Sequence, residues 1–235
     1  MKLFSLKISL GVLHLFIITS CTTVYVPNSL NTPLLSKKNE ATFSINSGIT
    51  GTDLQSSFAF TDNLAVMLNY SFISQENEEA LKQKFGEFAL GYFSESHDNN
   101  IAEIFLGFGY GEASSVGKIV YQNYINDNIS AKSNFYRLFI QGDFGIKGKI
   151  IETGLSIRGS YLYFSNIKYS LPIFDADMSI DNFFVTPSFF FKIGGPLLKF
   201  QAQIAYSKIL NTSKFIFYEP LIFSVGINLR IGALD

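Results

Sequence analysis

From Glu40 to the carboxyl terminus, apolar and polar residues alternate with a period of two. That period puts successive side chains on opposite faces of an extended strand. Runs rich in Phe, Ile, Tyr and Val recur ten times, at roughly 40–48, 53–60, 64–73, 82–93, 101–112, 133–145, 149–164, 182–193, 197–208 and 218–231. A helical turn is expected only around Glu76 to Lys84. The connections alternate in length. Thr61-Asp62-Asn63, the link at 94–100, Gly145 to Lys149 and Gly194-Gly195-Pro196 are short. Those at 74–81, 113–132, 165–181 and 209–217 are longer, and only the first, near Gly48 to Asp53, breaks the rule. Short turns alternating with long loops are the rhythm of an up-and-down antiparallel β-barrel of the outer-membrane type. An even number of strands puts both ends of the barrel on the short-turn side.

Each run has one apolar and one polar face. Ile151, Leu155, Ile157, Tyr161 and Tyr163 oppose Glu152, Gly154, Ser156, Arg158 and Ser160. Leu198, Phe200, Ala202, Ile204 and Tyr206 oppose Lys199, Gln201, Gln203 and Ser207. Leu221, Phe223, Val225, Ile227, Leu229 and Ile231 oppose Ser224, Gly226, Asn228 and Arg230. Period two alone does not say which face points inward. Either lipid meets the apolar face and the lumen is polar, or an apolar ligand cavity lies inside a water-facing barrel.

Composition favours the first solution. Charged residues are 16% of the chain, against roughly 25% in soluble domains, and aromatics are 16% with no Trp. The polar face is rich in Gly, Ser, Ala and Gln, which suit a crowded interior. Its charges are of both signs: Glu87, Glu103, Asp143 and Glu152 with Arg137, Arg158, Lys199 and Arg230. Such charges can neutralise one another in a confined lumen. Tyr70, Phe72, Tyr92, Phe93, Tyr110, Tyr161, Tyr163, Phe183 and Tyr206 near strand ends suggest interfacial girdles. Ten strands lie closer to barrels filled by their own side chains than to wide porins.

Residues 1–20 read as a signal peptide, with Lys2 and Lys7 ahead of a short apolar stretch from Leu10 to Ile18. Ile18-Thr19-Ser20-Cys21 resembles the lipobox of bacterial lipoproteins, which implies acylation of Cys21 and cleavage before it. Loss of Lys2 and Lys7 takes the net charge from −1 to −3. Residues 21–39, with Pro27, Pro33 and no period, are expected to be a linker between lipid and barrel. The balance of charge points to no nucleic-acid partner, and outer-membrane lipid is the expected one.

The stretch from Cys21 to Phe72 resembles the start of a family of uncharacterised Bacteroidetes lipoproteins with an outer-membrane-type β-barrel. The likeness rests on Val26-Pro27-Asn28, Asn31-Thr32-Pro33-Leu34 and Thr61-Asp62-Asn63-Leu64-Ala65-Val66. It covers about the first quarter of the chain; the remainder agrees only in strand rhythm. It implies a fold and a location in the outer membrane, with no known activity or catalytic residues. Surface-destined lipoproteins of that phylum tend to carry acidic residues after the acylated Cys. Thr22-Thr23-Val24-Tyr25 has none, so the resemblance implies an anchor in the periplasmic leaflet.

Catalytic groups are scarce. His97 is the only histidine after residue 20, and it falls in a short turn. Asp175, Asp177 and Asp181 form one acidic loop, and Glu76, Glu78 and Glu79 another, each read as a solvated loop. Glu152 and Arg158 are read as fillers of a narrow lumen rather than an ion path. Gly107-Phe108-Gly109-Tyr110-Gly111 lies within a strand with no helix after it, so it is read as crowding rather than a nucleotide turn. The expectation is a non-enzymatic envelope barrel with a structural or binding role and no cofactor or metal. The alternatives are a lipid-anchored periplasmic carrier of an apolar ligand and a narrow pore for small solutes.

Overall fold

The computed structural model describes residues 25–75, 80–96, 99–121, 124–170, 177–211, 216 and 218–232, with the side chains of 117–131 and 166–178 excepted. The described residues form an all-β structure. Its strands are β1 (Ala41–Gly48), β2 (Gly51–Ala59), β3 (Leu64–Gln75), β4 (Leu81–Glu95), β5 (Asn100–Tyr121), β6 (Tyr124–Lys147), β7 (Ile151–Ser170), β8 (Asp177–Gly194), β9 (Leu198–Tyr206), β10 (Lys208–Ile209) and β11 (Leu221–Ile231). Sequential neighbours pair antiparallel from β1 to β9. The two-residue β10 continues β9 along β8 past a break at Ser207. β11 lies between β9 and β1 and closes the sheet. The result is a closed antiparallel barrel of ten staves, with no unpaired edge along its body.

The expected segments recur with three differences. Of the helical turn expected around Glu76 to Lys84, Leu81 to Lys84 belong to β4 instead, and residues 76–79 lie outside the described residues. The expected loop at 113–132 is largely a hairpin, with β5 and β6 paired out to Tyr121↔Tyr124. The expected loop at 165–181 likewise gives way to strand at both ends, as β7 runs to Ser170 and β8 starts at Asp177. Polar residues signal loops there, but a strand that projects beyond an apolar belt needs no apolar face.

The closed sheet resolves the choice between faces. Apolar side chains point outward: Leu106 is 69% exposed and Phe200 63%, and Leu68, Leu90, Leu138, Ile140, Leu155 and Ile227 share that face. Along β6, Tyr136, Leu138, Ile140, Phe144 and Ile146 mark the height of this belt. Ten residue steps at about 3.4 Å, tilted by about 45°, give a belt roughly 24 Å tall, close to the band of about 25 Å in transmembrane barrels. At the end away from the short turns, Tyr70, Gly86, Tyr110, Tyr136 and Tyr163 are paired in one row across five strands. Two residues further along each strand the outward row becomes Phe72, Lys84, Glu112, Asn134 and Ser165, polar at all positions but the first. Phe93 is not part of any girdle; it is fully buried and faces inward with Phe105 and Phe139.

The inner wall is crowded, and the Gly107–Gly111 run explains how. Ideal Cβ atoms built on Gly107, Gly109 and Gly111 would come within 2.4–2.7 Å of the rings of Phe139, Phe85 and Phe135. Each ring packs against a glycine, where any side chain would displace it. Gly86 faces outward, with nothing within 4 Å of its would-be Cβ. Gly107→Ala is therefore expected to cost about 1–3 kcal/mol by overpacking, and Gly86→Ala less than about 0.5 kcal/mol. Urea titrations in detergent micelles followed by circular dichroism would compare them; equal costs would refute the packing argument.

Candidate functional site: a threaded, charge-lined lumen

Of the stretch 21–39, expected to be a linker, residues 25–39 are described. From Tyr25 to Leu35 it runs extended through the lumen, and every residue in it is buried. It enters beside the Tyr218 segment, where Tyr25 forms a parallel bridge with Tyr218 and accepts a hydrogen bond from the Glu219 amide at 3.1 Å. It leaves at the short-turn end and turns at Asn39 (φ 63°) into β1. Beyond Tyr25 no strand among the described residues pairs with its backbone, and a buried backbone group without a partner is costly. Side chains of the wall serve instead. Gln83 accepts from the Val26 amide and donates to its carbonyl, at 3.1 and 2.7 Å. Gln203 grips Leu30 the same way, at 2.7 and 3.0 Å. Asp53 accepts from both the amide and the hydroxyl of Ser29, and Gln55 donates to the Ser29 carbonyl at 3.0 Å. Gln141 and Lys192 each donate at 2.6 Å, to the carbonyls of Asn31 and Thr32. Glu103 accepts from the amides of Leu34 and Leu35, at 3.0 and 2.8 Å. Pro27 and Pro33 bring no amide hydrogen, so they lower the number of donors the lumen must satisfy.

The eight charged residues expected in the lumen are all buried and inward-facing: Glu87, Glu103, Arg137, Asp143, Glu152, Arg158, Lys199 and Arg230. The structure gathers them around the thread in two groups. In the upper group, the Glu87 carboxylate accepts from Arg137 at 2.8 Å and from Arg158 at 3.0 Å. Asn28 of the thread joins it, donating to Glu87 at 3.1 Å and accepting from Arg137 at 2.7 Å. The guanidinium of Arg137 lies 4.5 Å from the centre of the Phe85 ring, and that of Arg158 lies 4.4 Å from Phe139. Such contacts favour a desolvated cation. Asp143 takes hydrogen bonds from Gln141 and Ser156.

Arg230 organises the lower group. It bonds Glu40, donates to Glu152 at 2.9 Å, and donates to the carbonyls of Pro33 and Leu34 at 3.0 and 2.8 Å. Leu34 sits at a positive φ of 52°, uncommon for a bulky residue, and is pinned by Glu103 on one side and Arg230 on the other. Lys147 also pairs with Glu40, at 2.6 Å. Burial opposes the charge of Glu40, but Arg230 and Lys147 outweigh it and hold that carboxyl down at about 2. Lys192 and Lys199 stand 3.9 and 3.8 Å from Glu152. Beyond this group the lumen widens into a cleft of about 270 Å³ at the short-turn end, lined in part by Ser36, Lys149, Glu152, Lys199 and Arg230.

Above the thread, Tyr25 caps an apolar cluster with Phe85, Phe135, Phe164 and Phe184. Its ring centre is 5.5–5.8 Å from those of Phe135, Phe164 and Phe184. Between this cluster and Arg230 the thread and buried wall side chains occupy the interior, around a small void of about 10 Å³ lined in part by Tyr25, Asn28, Leu30, Arg137 and Arg158.

Sequence alternation does not single out Glu40 or Lys147, and it gives no sign of the thread itself. Asp53 and Lys192 also belong to the site without having been expected there, although they stand on the inward phase of β2 and β8, where the alternation does carry a signal. Cys21, His97, Glu76, Glu78, Glu79 and Asp175, and the side chain of Asp177, lie outside the described residues. Asp181 lies in β8, paired with Tyr163. No protein-family model matches the chain, and none of the curated proteins matches it.

Proposed function

We propose that the chain is an integral barrel of the bacterial outer membrane, further anchored by lipid on Cys21, with a structural or binding role and no catalytic one. The observation that carries this is an outward apolar belt of membrane height on a barrel whose lumen is filled by its own chain. An apolar-ligand carrier needs the opposite arrangement, an apolar cavity inside a polar exterior. An open pore for solutes needs space that the thread occupies. The β5–β6 hairpin rises well past the Tyr110–Tyr136 level, and its reach makes it the natural contact for a partner at the cell surface. The short-turn side, in this reading, faces the periplasm.

Cys21→Ser with an intact signal peptide tests the embedding. The processed protein is expected to stay in the outer-membrane fraction and resist carbonate extraction, because the belt alone holds it. Recovery from the soluble periplasm would mean that lipid was the sole attachment and the belt is not in the membrane.

A further inference from the structure

The direction of the thread fixes where the beginning of the chain emerges. The barrel proper starts and ends at the short-turn side, with Ala41 paired to Ile231. If the segment before it were a simple tether, an acylated Cys21 would lie on that side too. The chain instead passes through the lumen first. Leu34 and Leu35 lie at the short-turn end beside Glu103, Glu40 and Arg230. Tyr25 lies at the opposite end, among Phe135 and Phe164, whose sequence neighbours Tyr136 and Tyr163 form the aromatic row. Its bridge to Tyr218 belongs to the β9–β11 connection, which is on the long-loop side. The path is held throughout by the clamps of Gln83, Asp53, Gln203, Lys192 and Glu103 on the thread backbone.

We infer that the mature chain is threaded through its own barrel, so that its beginning emerges at the long-loop mouth and its acyl chains enter the leaflet on that side. Chain length supports this. Four residue steps separate Cys21 from Tyr25, a reach of at most about 14 Å. The opposite leaflet is farther away, across a belt of about 25 Å. With the long loops outside the cell, the lipid sits in the outer leaflet, against the expectation from Thr22-Thr23-Val24-Tyr25. The lipid partner is then the outer surface of the membrane, and the two termini of the chain lie on opposite sides of it.

The inference rests on the outer-membrane reading above, and one experiment separates the two. Short epitopes are placed singly between Thr23 and Val24, within 171–176, and at Pro196 in the β8–β9 turn. Antibody binding is compared on intact and permeabilised cells, and each variant is checked for a folded barrel by its mobility shift on heating. The expected pattern is full binding on intact cells for the first two epitopes, and at least a tenfold gain on permeabilisation for the Pro196 epitope. If the 171–176 epitope is exposed but the Thr23 epitope needs permeabilisation, the threading inference is overturned while the embedded barrel stands. If the protein is released by carbonate and no epitope is exposed on intact cells, the outer-membrane reading itself fails.

Discussion

Replacing residues 25–35 with a Gly-Ser segment of the same length should turn a silent barrel into a conducting one. The native protein, reconstituted in planar bilayers, is expected to show no discrete current steps, because the thread and its clamps fill the lumen between Tyr25 and Arg230. The replacement keeps the chain connected but removes Tyr25, Val26, Asn28, Leu30, Leu34 and Leu35, the side chains that pack against the wall. A Gly-rich segment has no side chains to hold it, and its ordering entropy favours leaving the lumen. Glu87, Arg137, Arg158, Glu103 and Lys192 would then line a wet passage. Stability should fall by a few kcal/mol rather than collapse, since water replaces part of what the thread supplied. A folded variant that stays as silent as the native protein would show that the wall side chains close the lumen without help.

The second large effect is expected at Arg230. Arg230→Met keeps much of the side-chain volume and removes the charge that joins Glu40, Glu152 and two carbonyls of the thread. Removing one partner of a buried ion pair costs about 3–5 kcal/mol, because the other is left uncompensated. Lys147 still faces Glu40, and Lys192 and Lys199 still face Glu152, so the lower part of that range is expected. Lys149→Met, in the exposed β6–β7 turn, should stay within about 0.5 kcal/mol. The chain has no Trp, so unfolding is best followed by circular dichroism in detergent micelles. A loss below about 1 kcal/mol at Arg230 would mean that water reaches this group and screens it.

Much of the barrel is legible in the amino-acid sequence, for a local reason. The pleat of a strand imposes period two on any segment with unlike environments on its two sides. The alternation therefore reveals ten staves, and it places Glu87, Glu103, Arg137, Asp143, Glu152, Arg158, Lys199 and Arg230 on one shared face. It is blind where the environment does not alternate. Beyond the aromatic row the alternation fades, with Glu112, Ser114, Lys132 and Asn134 on the outward phase, so 113–132 reads as loop although β5 and β6 pair through most of it.

The thread is the larger omission. Residues 25–35 touch barrel wall on every side, so no period marks them, and Asn, Ser and Pro look the same in a linker as in a lumen. Gln83, Gln203, Asp53 and Glu103 sit far from the thread in sequence, and only closure of the sheet brings them around it. By itself, then, the sequence determined the strands and the chemistry of each face, because both follow from neighbours along the chain. The tertiary structure decided which face is inside, what fills the interior and which way Tyr25 to Leu35 runs through it, because those depend on closing a sheet around a segment that carries no local signal.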